Sequence, residues 1–167
     1  RHVEAELAVD AFDAGDGVQW VFVGDGNQRR LLEQRAAGLD NVTFVDPLCD
    51  DDYPYALAAA DVLLLHENPG VREFCFPSKL TSYVVGRRPV LAATQSGSVT
   101  HRALTRTPFA HLVEPGDVQG LLQGVRTLRA NPALGRQLVD AASLYAPETS
   151  RELAAERYVS FVGSLVR

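Results

Sequence analysis

The sequence contains few of the residues that build cross-linked, metal-binding or membrane-spanning proteins. Its 167 residues include only two cysteines, Cys49 and Cys75. Two thiols cannot cross-link a chain of this length and show no metal-ligand spacing, so we expect reduced thiols, a cytoplasmic location and no metal site. No apolar run approaches the ~18 residues that a membrane-spanning helix needs. The net charge of −5 argues against a nucleic-acid-binding surface.

The chain also has no methionine, and its first residues show no signal-peptide pattern. We therefore expect it to be part of a longer protein. A hydrophobic content of 46% and a charged content of 22% are ordinary for a globular domain. The length suits one domain with a substantial core.

Short apolar runs alternate with segments of helical periodicity along the chain. We predict strands over residues 18–23, 41–45, 62–65, 89–92 and 110–113, and we expect 18–23 to be a buried strand. Helices are predicted over 3–14, 27–37, 53–59, 99–105, 118–129, 131–144 and 149–166, and a further helix is predicted to begin near Pro77. This alternation predicts an α/β fold with a doubly wound, Rossmann-like parallel sheet.

Polar and turn-forming residues follow the predicted strands, and ligands of open α/β sheets bind at these carboxyl ends. The turn Gly24-Asp25-Gly26 follows the first run, and Asp46-Pro47-Leu48 follows the second. A glycine turn after a strand lets the backbone approach a phosphate, or it is simply a tight turn; the sequence leaves both interpretations open.

The segment Pro77-Ser78-Lys79-Leu80 precedes an apolar-periodic stretch, as is typical of a helix N-terminus. Its backbone N–H groups and positive dipole end would face an anion. Lys79 either adds a positive charge there or lies along the surface. The acidic triplet Asp50-Asp51-Asp52 also precedes a predicted helix, and we interpret it as an N-cap with favourable dipole interactions rather than as a metal site. Asp117 is likewise predicted to cap the helix over 118–129.

Pro77-Ser78-Lys79-Leu80, Tyr83 and Arg88-Pro89-Val90-Leu91-Ala92 together resemble the C-terminal half of family-4 retaining glycosyltransferases of GT-B architecture. The sequence is most similar to the bacterial branch that builds envelope polysaccharides and decorated natural products. The resemblance extends along the whole chain through four shorter motifs in the same order. These are Val23-Gly24-Asp25-Gly26, Asn41-Val42-Thr43-Phe44, Ala60-Asp61-Val62 and Val113-Glu114-Pro115-Gly116-Asp117.

The resemblance implies that residues 1–167 form the donor-binding domain, which holds a UDP- or GDP-sugar without a further cofactor. It also implies that the acceptor domain, the first strand of the sheet and an Arg or Lys that grips the diphosphate would lie before Arg1. A sheet without its first strand is either completed by another piece of chain or is compromised, and this part alone would be inactive. Arg87-Arg88 offer a weak indication that the full enzyme contacts anionic lipid at a membrane surface.

By the same resemblance, Glu73 orients the donor sugar, and Lys79 with nearby backbone N–H groups stabilises the departing diphosphate. The second signature glutamate is replaced by Ser82, and the glycine that precedes the Pro-Val strand falls at Arg87, with Gly86 displaced by one residue. The remaining predicted donor-binding residues are Gly24, Asp25, Gly26, Pro47, Leu48, Phe74, Cys75, Phe76, Pro77, Ser78, Leu80 and Ser82.

Three alternatives to an active transferase stay open. The serine at position 82 is what a non-catalytic nucleotide-sugar-binding partner subunit would show. A sugar-nucleotide epimerase shares the architecture but needs converging acid–base residues, of which we identify only Glu73. A phosphorylation-receiver domain has a similar sheet, but Asp25 and Asp46 do not form its acidic constellation.

Overall fold

The computed structural model describes residues 17–70, 77–145 and 159–160. Its strands are β1 (Trp20–Val23), β2 (Val42–Val45), β3 (Leu63–His66), β4 (Val90–Ala93) and β5 (Ala110–Val113). Its helices are α1 (Arg29–Arg35), α2 (Tyr53–Ala59), α3 (Ser78–Gly86), α4 (Val99–Arg106), α5 (Val118–Ala130) and α6 (Pro132–Tyr145). These bounds agree with the predicted elements to within about two residues. The helix predicted over 3–14 and most of that over 149–166 lie outside the described residues.

All described strands pair in parallel, in two sheets. β1 pairs with β2, and β4 lies between β3 and β5. The doubly wound strand order is 3-2-1-4-5-6, and taking out its first strand leaves one pair and one triplet in this order. The predicted fold class is therefore confirmed, and among the described residues no strand joins β1 to β3.

Helices cover both faces of the three-stranded sheet. Leu63 and Leu65 belong to an apolar cluster with α2, α3, α4 and α6, whereas Leu64, between them, belongs to a second cluster with α1, α5 and α6. Because successive strand residues point to opposite faces, this division shows a sheet buried on both sides. Trp20 of β1 joins the second cluster, so the two sheets share an apolar core.

The prediction that residues 18–23 form a buried strand is wrong for one face of β1. Trp20 is buried, but Val21 and Val23 are 58% and 41% exposed. The strand is real, and its side chains alternate as in any sheet. The two faces differ because the helices that share a cluster with this pair of strands pack on the Trp20 side.

Two predicted helix caps have different outcomes. The Asp117 carboxylate accepts a hydrogen bond from the Gly120 N–H at 2.8 Å, which confirms the predicted cap of α5. Asp52 occupies the N-cap position of α2, but its side chain makes no capping hydrogen bond. Its Oδ2 instead accepts from the Cys49 thiol at 3.2 Å, so capping by the acidic triplet is wrong at this residue.

The glycine that the resemblance places at position 87 stands at position 86 in this chain, and the packing of the helices explains why position 86 is glycine. A Cβ atom at Gly86 would lie 3.0 Å from the Leu57 Cβ atom, so this glycine lets α2 and α3 approach closely. Arg87, with φ 53° and ψ 40°, takes the left-handed C-cap position that glycine usually fills. Within the described ranges, no helix combines the length and apolarity that a bilayer crossing requires.

Candidate functional site

The loops that leave β1 and β2 form one part of the carboxyl edge of the sheet. Gly24 has a φ of +120°, a conformation that side-chain-bearing residues rarely adopt, and its N–H donates to the Val45 carbonyl at 3.0 Å. Asp25, Gly26 and Pro47 are exposed. The glycine turn thus has a conformational reason to be glycine and also leaves its backbone accessible to a ligand.

Arg29, at the start of α1, holds these two loops together. Its Nη1 atom donates to the Gly24 carbonyl at 2.9 Å and the Val45 carbonyl at 3.2 Å, and lies 3.0 Å from the Asp46 carboxylate. Its Nε atom donates to Glu33 at 2.7 Å, and this hydrogen bond raises the pKa of Arg29 above its usual value. With a side chain only 18% exposed, Arg29 fixes the spacing between the two predicted nucleotide loops.

A small hollow lies at the carboxyl ends of β3, β4 and β5. It is lined by His66, Ala93, Glu114, Gly116, Asp117, Val118 and Leu121. The exposed Glu114 accepts weak hydrogen bonds from the Ser96 N–H at 3.4 Å and the Gln95 amide at 3.5 Å. Gln95 in turn accepts from the Gly70 N–H at 3.1 Å, so side chains connect all three strand exits.

Buried polar groups continue this edge on its α4 side. Thr94, Ser98 and Thr100 are each 2% exposed or less. Ser98 caps α4 by accepting from the His101 N–H at 3.0 Å. Thr100 donates its hydroxyl proton to Oε1 of Glu67, the first residue after β3. The hydroxyl groups are therefore held in fixed directions at the exits of β3 and β4.

The N-terminus of α3 places the predicted diphosphate-binding residues. Pro77 is the N-cap, without a side-chain capping bond, and Ser78 and Lys79 are exposed. The Leu80 N–H donates to the Pro77 carbonyl at 3.1 Å, and its side chain is fully buried in the core. The amides of Ser78 and Lys79 belong to the first turn of α3, whose N–H groups have no acceptor within the helix.

The structure brings some of the predicted site residues together, and it does not describe the positions of others. The 24–26 turn and the Pro47-Leu48 loop are joined through Arg29. Ser82 is half-buried on α3, one turn from Ser78. Glu73, Phe74, Cys75 and Phe76 lie outside the described residues.

A protein family matches most of this chain. The family described as glycosyl transferases group 1 matches residues 3–131, more than three quarters of the chain. The chain belongs to this family. No curated protein sequence matches it at a significant level.

Solved glycosyltransferase structures share the fold at low sequence identity. HepE from Anabaena, solved with UDP and glucose, is 19% identical with a TM-score of 0.75; the match covers 95% of this chain and 44% of HepE. Sucrose-phosphate synthase from Thermosynechococcus elongatus is 20% identical with a TM-score of 0.75, covering 98% and 42%. A glycosyltransferase from Rickettsia africae is 14% identical with a TM-score of 0.78, covering 98% and 44%. The chain thus spans less than half of each of these GT-B proteins.

Two residues at the candidate site of this glycosyl transferases group 1 domain, Arg29 and Glu67, were not predicted from the sequence. Arg29 looked like one more polar residue of a predicted helix, and no sequence signal indicates its contacts with carbonyls 5 and 16 residues away. Glu67 could have been found, because it lies two residues after a predicted strand and the carboxyl ends of strands are where ligands bind.

The role of Arg29 predicts a selective loss of function. Replacing Arg29 by glutamine removes the charged contact with Asp46 and the hydrogen bonds to Gly24 and Val45, so we expect a lower thermal midpoint and several-fold weaker nucleotide binding. Arg30→Gln is the matched control, since it removes the same charge from the adjacent, exposed position. Equal effects of the two substitutions, measured by thermal melts and nucleotide titration, would contradict this role.

Proposed function

We propose that this chain is the donor-binding domain of a retaining glycosyltransferase that transfers a sugar from a nucleotide-diphosphate sugar to an acceptor. We place it in the bacterial, family-4-like branch that acts in polysaccharide or natural-product synthesis in the cytoplasm. Membership in the glycosyl transferase group 1 family supports this proposal. The observation that carries it is the N-terminus of α3, which has no side-chain cap at Pro77 and begins with the exposed Ser78 and Lys79.

The diphosphate fits the N-terminus of α3 by charge and by hydrogen bonding. The first N–H groups of a helix lack partners within the helix, and the helix dipole places positive potential there. No acidic residue lies in the first turn of α3 to oppose an anion. Lys79, the one lysine in the sequence, adds a full positive charge. These groups would neutralise the diphosphate as it leaves the sugar.

The nucleoside fits the loops of β1 and β2. Main-chain atoms of the Gly24-Asp25-Gly26 turn and of Pro47-Leu48 would contact the base and ribose, at a spacing fixed by Arg29. Recognition by main-chain atoms explains why side-chain identity in these loops does not indicate the base. UDP and GDP donors both remain candidates, and HepE was solved with UDP-glucose.

In the proposed reaction, the domain orients the donor and stabilises negative charge on the leaving group. Glu73 would accept hydrogen bonds from sugar hydroxyls and hold the ring for attack on the face that the nucleotide leaves. The acceptor would be held by the N-terminal domain of the whole protein. Accordingly, this chain alone would bind the donor weakly and turn nothing over.

One observation favours a non-catalytic partner subunit as the second candidate. The position of the second signature glutamate is the neutral, half-buried Ser82. A serine hydroxyl can still bond a ribose hydroxyl, but more weakly than a carboxylate does. Restoring the acid with Ser82→Glu separates the candidates, because it would strengthen donor binding only where the rest of the site is functional.

A nucleotide panel followed by NMR tests the proposal. UDP, GDP, dTDP and ADP are titrated at millimolar concentration into the parent chain and the Lys79→Ala variant. We expect selective shifts for one nucleotide and a three- to tenfold weaker affinity in the variant, since a charge-assisted contact with the diphosphate is lost.

Arg136→Ala is the control for the loss of one positive charge. Arg136 is exposed on α6, a helix that carries none of the predicted site residues, so its variant should bind like the parent. A folded parent chain that binds none of the four nucleotides, or a Lys79→Ala variant that binds them unchanged, would count against the proposed diphosphate site.

A further inference from the structure

Glu67 is held at the exit of β3 by contacts with β4 and α4. Its backbone N–H donates to the Ala93 carbonyl at 2.9 Å, which extends the pairing of β3 and β4 by one residue. Its Oε1 atom accepts the hydroxyl proton of Thr100, which is 2% exposed on α4. The following loop is fixed by the hydrogen bond from Gly70 to Gln95. The carboxylate therefore has a defined position and direction.

The second carboxylate oxygen of Glu67 is buried and has no hydrogen-bond partner within the described structure. Such an atom is unusual, because removing a carboxylate oxygen from water without replacing its hydrogen bonds destabilises the folded chain. Native proteins hold few such groups, and each has an explanation, such as an ordered water, an ion or a functional role at a binding site. A carboxylate oxygen accepts hydrogen bonds, so the missing partner is a donor group.

The location of Glu67 indicates which donor group this is. It follows β3, the strand that borders the gap between the two sheets, and ligands of doubly wound sheets bind at the carboxyl ends beside this switch in strand order. A nucleotide-diphosphate sugar in that crevice carries hydroxyl donors on its sugar ring. The nucleoside is assigned to the loops of β1 and β2, on the other side of the gap.

We propose that Glu67 is a sugar-binding residue, whose Oε2 atom accepts a hydrogen bond from a hydroxyl group of the donor sugar while Thr100 fixes Oε1. This inference rests on the proposed donor-binding function and adds to it a residue that recognises the donor sugar. Glu67 then acts on the sugar, and the nucleotide diphosphate binds without it.

The test compares ligands with and without the sugar. UDP, UDP-glucose, GDP and GDP-mannose are titrated into the parent chain, Glu67→Gln and Asp61→Asn. Asp61 is an exposed carboxylate just before the opposite end of β3, so its variant controls for the loss of one negative charge. We expect Glu67→Gln to weaken binding of the preferred nucleotide sugar about tenfold, and binding of the nucleotide alone by less than about twofold.

Thermal melts without ligand distinguish a sugar contact from a structural role. Glutamine can keep the bond from Thr100 while removing the buried charge, so the midpoint of Glu67→Gln should be no lower than that of the parent. Thr100→Val should weaken nucleotide-sugar binding as well, because it releases the carboxylate from its fixed position.

The outcomes separate this inference from the proposed function. If the parent binds a nucleotide but Glu67→Gln binds the nucleotide sugar as the parent does, the role of Glu67 is wrong and the donor-domain proposal stands. If Glu67→Gln melts at a lower temperature and weakens nucleotide and nucleotide sugar equally, Glu67 is structural. If the parent binds none of the four ligands, both proposals fail.

Discussion

Replacing Phe109 by alanine is expected to lower the free energy of unfolding by about 3–5 kcal/mol, the range for truncating a fully buried aromatic ring. Phe109 directly precedes β5 and is 1% exposed. Its ring lies 4.9 Å from that of Tyr145 at the end of α6, at an interplanar angle of 31°. The substitution thus leaves a cavity between the sheet and α6, and it also removes a favourable ring contact.

Urea unfolding of matched variants measures this effect. Phe109→Leu retains most of the apolar volume and should lose much less stability than the alanine variant. Val85→Ala truncates an apolar side chain that is 68% exposed, and should change stability by no more than about 0.5 kcal/mol. A loss below about 1 kcal/mol for Phe109→Ala would show that the ring is not an essential part of this core.

Alkaline pH is expected to destabilise the chain through Tyr83. Burial raises the pKa of Tyr83 to about 12, and its hydroxyl donates to the Leu64 carbonyl at 3.0 Å. In the unfolded chain the phenol loses its proton near its usual pKa of about 10. Between these values the native state binds more protons than the unfolded state, so stability falls as pH rises from about 10 to about 12. The full loss is about 3 kcal/mol, from two pKa units.

Unfolding free energies at pH 8 and at several values from 10 to 12 test this linkage. Phenylalanine at position 83 cannot ionise, so the stability of Tyr83→Phe should decline less steeply than that of the parent between pH 10 and 12. At pH 8 the variant should be less stable than the parent, because it lacks the hydrogen bond to the Leu64 carbonyl. Tyr55→Phe is the control, because Tyr55 is 76% exposed on α2. Parallel pH profiles for the parent and Tyr83→Phe would refute the assignment.

The sequence predicts the elements of this fold well because each strand is a short, mostly apolar run between polar turns. β5 and α2 have the predicted bounds, and the cap of α5 by Asp117 is local enough to be read from the sequence. The failure at Asp52 is also local: the Cys49 thiol and the helix N-terminus compete for one carboxylate, and residue order does not decide between them.

The parts of the site that sequence reasoning missed depend on contacts between distant residues. The position of the Glu67 carboxylate depends on a hydrogen bond from Thr100, which lies 33 positions later in the chain. The exposure of Val21 and Val23 depends on which helices pack on each face of β1. In contrast, the turn at Gly24 was predicted because its conformational demand is encoded by glycine itself.

The purely parallel pairing of the five described strands has a consequence for the folding rate. Residues that face one another across the sheets, such as Trp20 and Val42 or Leu63 and Val90, are separated in the chain by a whole helical connection. No pair of these strands is joined by a tight turn as in a β-hairpin. Long connections must therefore close before any strand pairing stabilises the chain. Slow assembly of this kind leaves the backbone edges of apolar strand segments unpaired during synthesis, and the exposed Val21 and Val23 side chains add apolar surface for contacts between chains.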